Sequence, residues 1–239
     1  MYTKAERLHQ FLTPEYAERL ADVLYEIGKS LTTKSDFSLA IKWLERANEV
    51  INSQSLDVLS REGIELRLAI LQAMVTALLG IGAPDALEKA RRYVGCIETE
   101  VGNKLVVSLL RLELLHKTPA EVFDSDAYAD VLRRIIRNFN STDSAFKLIV
   151  HHTRKLHDKS PGAGCTVLDE FISALVGEEN PDWMERAVVT RMWMIINQRD
   201  SIETINSIRG VLSLVSRPLT AEAATAALAV CSHPSIFPL

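Results

Sequence analysis

Two amphipathic stretches near the start of the chain limit what it can fold into. Residues 13–31 place Ala17, Leu20, Leu24, Ile27 and Leu31 at steps of three and four; residues 35–51 do the same with Phe37, Ala40, Ile41, Leu44, Ala47 and Ile51. That period fits one face of an α-helix and not the two-residue alternation of a strand. Thr13, Pro14 and Glu15 give the first helix a capping residue, a proline at its first position and an acid in its first turn. Only Thr32, Thr33 and Lys34 separate the two helices, and so short a link forces an antiparallel hairpin.

Small residues carry the tightest constraint in this hairpin. A glycine inside a helix costs about 1 kcal/mol against alanine, so Gly28 needs a packing reason. Helix axes approach to about 8–10 Å, and the closest crossings need a small residue on one side. Residues 21–54 match the roughly 34-residue tetratricopeptide unit in the order of their large and small positions. Gly28, Phe37, Ala40, Leu44 and Ala47 are its structural residues. Asp22, Tyr25, Lys29 and Thr32 lie off the apolar stripe of the first helix. They are the candidate partner-binding positions, with Tyr25 as a rigid aromatic anchor and Lys29 as the charge.

The hairpin rhythm continues while the motif fades. A long helix is expected over 56–79, with Leu66, Ile70, Met74, Ala77 and Leu78 inward, and another from Pro84 to Val101 with Ala86, Ala90, Val94 and Ile97 on one face. A leucine-dense helix follows over 104–116. Thr118, Pro119, Ala120 and Glu121 read as a capping box, and Tyr128, Val131, Leu132, Ile135 and Ile136 form the next stripe. Residues 142–158 are helical, with Phe146, Ile149, Thr153 and Leu156 together. Residues 159–164 read as a loop, and helices follow over 165–176, 181–198, 202–215 and 220–231. About eleven helices and no strand, joined by short links, predict an all-α fold: an α-solenoid of antiparallel helix hairpins, tetratricopeptide-like and degenerate after the first unit. Residues 1–231 form a single helical-repeat domain in this reading, and 232–239 a tail or truncated edge.

Composition narrows the function. With 239 residues, 10 Gly and 8 Pro, the chain has too few turn residues for a sandwich or barrel. Its net charge of −4 argues against direct binding of nucleic acid. Three scattered cysteines, Cys96, Cys165 and Cys231, fit free thiols in a reducing compartment. The first residues carry charges in place of an apolar core, so no signal peptide is expected, and no uncharged apolar run of about 18 residues marks a membrane span.

No chemical motif stands up to its plain alternative. His151, His152 and His157 do not share a helix face, and we read them as a polar face with Arg154, Lys155 and Lys159. Gly162, Gly164 and Cys165 lack the preceding strand and the following Lys-Ser of a phosphate loop, and Cys165 has no placed histidine partner. Asp169 and Glu170 read as a solvated edge. Arg133, Arg134, Arg137, Lys147, Arg154 and Lys155 form the most basic stretch, offset by Asp124, Asp126 and Asp130. The helix carrying Trp183 and Trp193 with Met184, Met192 and Met194 is apolar on most sides, hence buried between neighbours or exposed as a patch for a partner. No catalytic, cofactor-binding or metal site is assigned. An enzyme would show a pocket of convergent polar groups; a scaffold would show an open groove or patch.

Four segments carry a resemblance. LADVLYEIGKSLTTKSDFSLAIKWLERANEVI at 20–51, KLVVSLLRLELLHK at 104–117, VLDEFISALV at 167–176 and, after Trp183, VVTRMW at 188–193 occur in the same order as in the meiotic Zip-four (sporulation protein twenty-two) family. The resemblance implies a nuclear, chromosome-associated scaffold of meiotic recombination, acting in crossover formation and synapsis by binding other proteins of that machinery. It implies no enzyme; with the composition, the expected chain has no cofactor, no membrane contact, no small-molecule substrate and no direct nucleic-acid contact. Family chains are several times longer, so this one is expected to be a fragment, a truncated gene model or a short paralogue. The alternative is a generic tetratricopeptide adaptor, a chaperone or trafficking cofactor.

Overall fold

The computed structural model describes residues 12–176, 180–197, 201–213 and 219–231. Among these, every regular element is a helix: α1 Pro14–Thr33, α2 Phe37–Asn52, α3 Arg61–Ile81, α4 Pro84–Val101, α5 Leu105–Lys117, α6 Ser125–Arg137, α7 Asp143–Lys159, α8 Pro161–Ala174, α9 Pro181–Asn197, α10 Ser201–Leu212 and α11 Ala221–Cys231. Single 3-10 turns sit at Leu56–Val58 and Ala120–Val122. The helices group into two compact units, residues 1–118 and 119–239. The sequence alone showed no boundary at Thr118.

In the first unit each helix packs on the next, and the alternate helices also meet: α1 on α3, and α3 on α5. The α1–α2 contact is the most extensive. Ala17, Ala21 and Gly28 of α1 are buried against Ala40, Leu44 and Ala47 of α2. A Cβ on Gly28 would stand 2.6 Å from Leu44 Cγ, so the glycine is required by the leucine that fills its place. The same exchange recurs one helix on, where a Cβ on Gly80 of α3 would stand 2.5 Å from the Phe37 ring.

The helix starts follow from local chemistry. Asp36, Ser60, Asp124 and Thr142 each accept a backbone N–H in the first turn of α2, α3, α6 and α7. Gly82 closes α3 in the left-handed conformation, φ 69°. The start of α3 corrects the helix expected over 56–79. Ser60 Oγ accepts from the Gly63 N–H at 2.9 Å, while Glu18 of α1 accepts from both the Ser60 N–H and the Ser60 hydroxyl at 2.7 Å. This pins the helix start at Arg61. α3 is long and apolar enough to cross a membrane by composition alone, mean hydropathy 1.7. Here its Ile70, Leu71, Met74, Val75, Ala77, Leu78 and Leu79 build the core of the first unit.

The Thr118 hydroxyl donates to the Leu114 carbonyl at 3.2 Å; the single 3-10 turn at Ala120–Val122 follows, and Asp124 caps α6. One further expectation fails for an identifiable reason. Residues 159–164 are not a loop, because α8 begins at Pro161, where proline suits the first helical position. Gly164 serves packing there: a Cβ on it would stand 2.6 Å from His157 Cα.

The second unit is built around aromatic and polar pairs. Trp183 stacks on Phe146 with ring centroids 5.9 Å apart and meets the edge of Phe139 at 5.6 Å. His152 and His157 belong to this core and not to a polar face. The Tyr128 hydroxyl pairs with His152 Nδ1 at 2.9 Å, and His157 lies 5.8 Å from the Trp193 ring. Burial pushes the His157 imidazole below its ordinary value, an effect that the Met194 backbone and Asp158 only partly offset.

Gly28→Leu is expected to destabilise the chain by about 1–3 kcal/mol through overpacking. Gly95→Ala, at an open helical position with no atom near the added methyl, should hold or raise stability by up to about 1 kcal/mol. Urea denaturation of both variants checks the pair. A second expectation concerns pH. His157 binds its proton more weakly folded than unfolded, so its share of stability is present above the unfolded value near 6.5 and lost as pH falls through it. Between about pH 7.5 and about 5.5 the native chain should therefore lose more stability than His157→Leu, measured by urea titration at the two pH values.

Candidate partner-binding surface

On α1 the apolar side chains are more numerous than one buried face can hold. Helical side chains advance by about 100° per residue. Ala17, Ala21, Leu24 and Gly28 lie within one narrow arc directed at α2, and Glu18 stands on the flank toward α3 through its bonds to Ser60. Tyr16, Leu20, Val23 and Ile27 fall on the opposite flank and are 62%, 40%, 57% and 36% exposed. The sequence reading placed Leu20 and Ile27 in the buried stripe. The small residues win that place, because only they allow α2 so close.

The four expected binding positions run along the α3 side of α1. Asp22 and Lys29 are exposed; Tyr25 and Thr32 are half-buried. Tyr25 packs on the core of the first unit, and the Thr32 hydroxyl donates to the Gly28 carbonyl at 3.0 Å. Lys29 Nζ donates to Glu26 at 3.0 Å and sits 5.3 Å from the centre of the Tyr25 ring. The hydrogen bond to Glu26, then the neighbouring Tyr25, holds the Lys29 ammonium above its ordinary value. The structure therefore gathers Asp22, Tyr25, Glu26 and Lys29 into one amphipathic row. Thr32 closes a helical turn and is not presented outward. Such a row can contact a peptide through an aromatic face and both signs of charge; it holds no nucleophile beside a base.

The second unit carries a groove of about 760 Å³ between α7, α9 and the start of α11. Several of its polar groups are engaged. Buried Glu185 accepts from the Thr220 N–H at 3.2 Å and from the Thr220 hydroxyl at 2.6 Å, and Arg154 donates to Thr190 at 3.1 Å while lying over the Trp193 ring. The remaining sequence candidates have structural posts. Asp169 and Glu170 stay solvent-accessible, as expected of an edge, and both are also paired. Adjacent on α8, they point apart: Asp169 takes both arms of Arg191 on α9 at 2.7 and 3.0 Å, and Glu170 takes Arg133 on α6 at 3.0 Å. Arg191 also reaches Cys165 Sγ at 3.1 Å, and that thiol is buried. Of the basic stretch, Arg133 pairs with Asp130 and Glu170, and Lys147 with Asp143. Trp183, Met192 and Met194 are core, which settles the tryptophan helix as a buried one.

A family model described as "Meiosis protein SPO22/ZIP4 like" matches residues 1–230. The chain belongs to this family. Membership implies a meiosis-related role, and the match runs through both units. Neither a curated protein nor a solved structure matches the chain.

The row on α1 yields a stability expectation. Tyr25→Ala should cost about 1–2 kcal/mol, since a half-buried ring leaves the core, whereas Lys29→Ala should stay within about 0.5 kcal/mol as an exposed substitution. Equal losses in chemical denaturation would mean that Lys29, too, is part of the fold.

Proposed function

We propose that this protein is a non-catalytic scaffold of meiotic recombination that acts with other proteins in crossover formation and synapsis, on chromosomes in the nucleus. The family match over residues 1–230 carries this reading. The packing pattern supports its form. Within the first unit each helix meets its successor, and α1 meets α3 as α3 meets α5, an order compatible with stacked helix pairs in an α-solenoid, and residues 21–54 carry a close crossing like that of a tetratricopeptide hairpin. In such a unit the first helix of each pair presents side chains to a bound segment. Asp22, Tyr25 and Lys29 hold that position on α1.

A scaffold needs no poised acid, base or nucleophile, and the polar groups described in the second unit are bound up in helix starts and interhelical pairs. No cofactor and no small-molecule substrate enter the proposal. Partners are recognised through side-chain contacts, with neither a basic nucleic-acid face nor a membrane contact.

Asp22→Lys combined with Lys29→Glu reverses two of the three exposed charges of the row and leaves the packed atoms in place. Co-purification from meiotic cells should then lose meiotic chromosome proteins that the unaltered chain retains, with circular dichroism unchanged. Retention of all of them moves the binding surface off this row. Recovery of general chaperones or trafficking proteins alone would favour a tetratricopeptide adaptor of another pathway.

A further inference from the structure

The flank of α1 formed by Tyr16, Leu20, Val23 and Ile27 exposes four large apolar side chains on one helix. Isolated exposed apolar residues are ordinary, but a contiguous row of them on one face marks an interaction site. We propose that a second copy of this chain occupies the flank, the two α1 helices pairing antiparallel about a twofold axis between Ala21 and Asp22.

Spacing gives the register and charge gives the direction. The flank residues follow one another at steps of four, three and four, the alternation of a and d positions in a coiled coil. About the twofold axis Tyr16 meets the partner's Ile27 and Leu20 meets the partner's Val23, so every flank residue has an apolar partner. A shift of one heptad leaves half of them without one. Arg19 and Glu26 lie one heptad apart at the polar edge of the flank, and both are exposed. They hold g positions in this frame, while the e positions, Ala17 and Leu24, are turned to α2 and the core. Antiparallel helices set g against g, which brings Arg19 to the partner's Glu26 and Glu26 to the partner's Arg19; a parallel pairing would set both against the edge already turned to α2. Within one chain their only pairs are local ones on α1: Arg19 donates to Glu15 at 2.7 Å, and Lys29 donates to Glu26 at 3.0 Å. Such exposed pairs contribute little and are readily exchanged. One helix from each copy makes a small interface, below the roughly 1,200 Å² of total buried surface of a stable complex, so the association is weak and depends on concentration.

Sedimentation equilibrium of the full chain from micromolar to millimolar concentration tests this, with circular dichroism confirming that each variant is folded. The native chain should pass from monomer to dimer. Arg19→Glu places two acids against each other across the axis, and Glu26→Arg two arginines, so each variant alone should associate at least about tenfold more weakly. Mixed in equal amounts, the two variants restore both opposite-charge pairs and should associate as the native chain does. Val23→Glu should leave a monomer that no mixture rescues. A native chain that stays monomeric throughout overturns the proposal. So does a mixture of the two charge variants that associates no better than either alone, since general apolar stickiness would ignore the exchange of charges. Self-association is read without any other protein, so its failure is distinct from failure of the scaffold proposal.

Discussion

A single side chain sets the geometry of the first unit. Leu44 occupies the space above Gly28 that any other residue would fill, and α1 and α2 close on each other through Ala17, Ala21, Ala40 and Ala47. Everything downstream takes its position from that approach. With α2 held close, Phe37 at its start reaches α3 at Gly80, and Glu18 on α1 reaches the first residues of α3. The order of contacts follows: α1 meets both α2 and α3, and its two flanks acquire different fates. One flank is tied to α3 and carries the mixed row with Tyr25 and Lys29. The other is left apolar.

A second device ties a helix to the next but one, and each unit shows an example among the described residues. Glu18 takes the backbone N–H and the hydroxyl of Ser60 at the start of α3; Glu185 takes the same two groups of Thr220 at the start of α11. In each case the hydroxyl oxygen also accepts an N–H from the first helical turn, Gly63 or Ala223. The first backbone N–H groups of a helix lack internal partners, and the helix end carries partial positive charge, so a carboxylate from a neighbouring helix is well matched there. The device fixes both the start of one helix and its register against another. Interhelical carboxylate–arginine pairs at Asp169 and Glu170 do comparable work for α8. Polar residues that invite a chemical reading thus prove to be positioning elements.

Much of the fold was legible because helical periodicity survives in the sequence wherever one face is buried. Ala86, Ala90, Val94 and Ile97, the stripe from Tyr128 to Ile136, and Phe146, Ile149, Thr153 and Leu156 are all buried as their spacing requires. Gly28 was legible as a packing residue because a helix-interior glycine needs a reason. The errors share one cause: spacing gives a face but not its neighbour. Leu20 and Ile27 fit the stripe by spacing yet lose the buried place to smaller residues. Glycines 162 and 164 read as a turn, although Gly164 makes room for the backbone of His157. The carboxylates at positions 18, 169, 170 and 185 left no local signal, since their partners lie 42, 22, 37 and 35 residues away. Of the expected site, Asp22 and Lys29 are exposed; Tyr25 and Thr32 are half-buried and shared with the fold.

The exposed mixed row on α1 fits the proposed role of holding other proteins in place, and membership in a meiosis family sets the context. The direct measurement is amine-reactive cross-linking of the full chain in meiotic prophase nuclei, with the cross-linked residues identified by mass spectrometry. Lys29 is exposed at the C-terminal end of the proposed row and should yield links to other meiotic chromosome proteins, absent from matched non-meiotic cells. Links from Lys29 confined to this chain, or one set of partners in meiotic and non-meiotic cells alike, would contradict the assignment of that row to a meiotic scaffold.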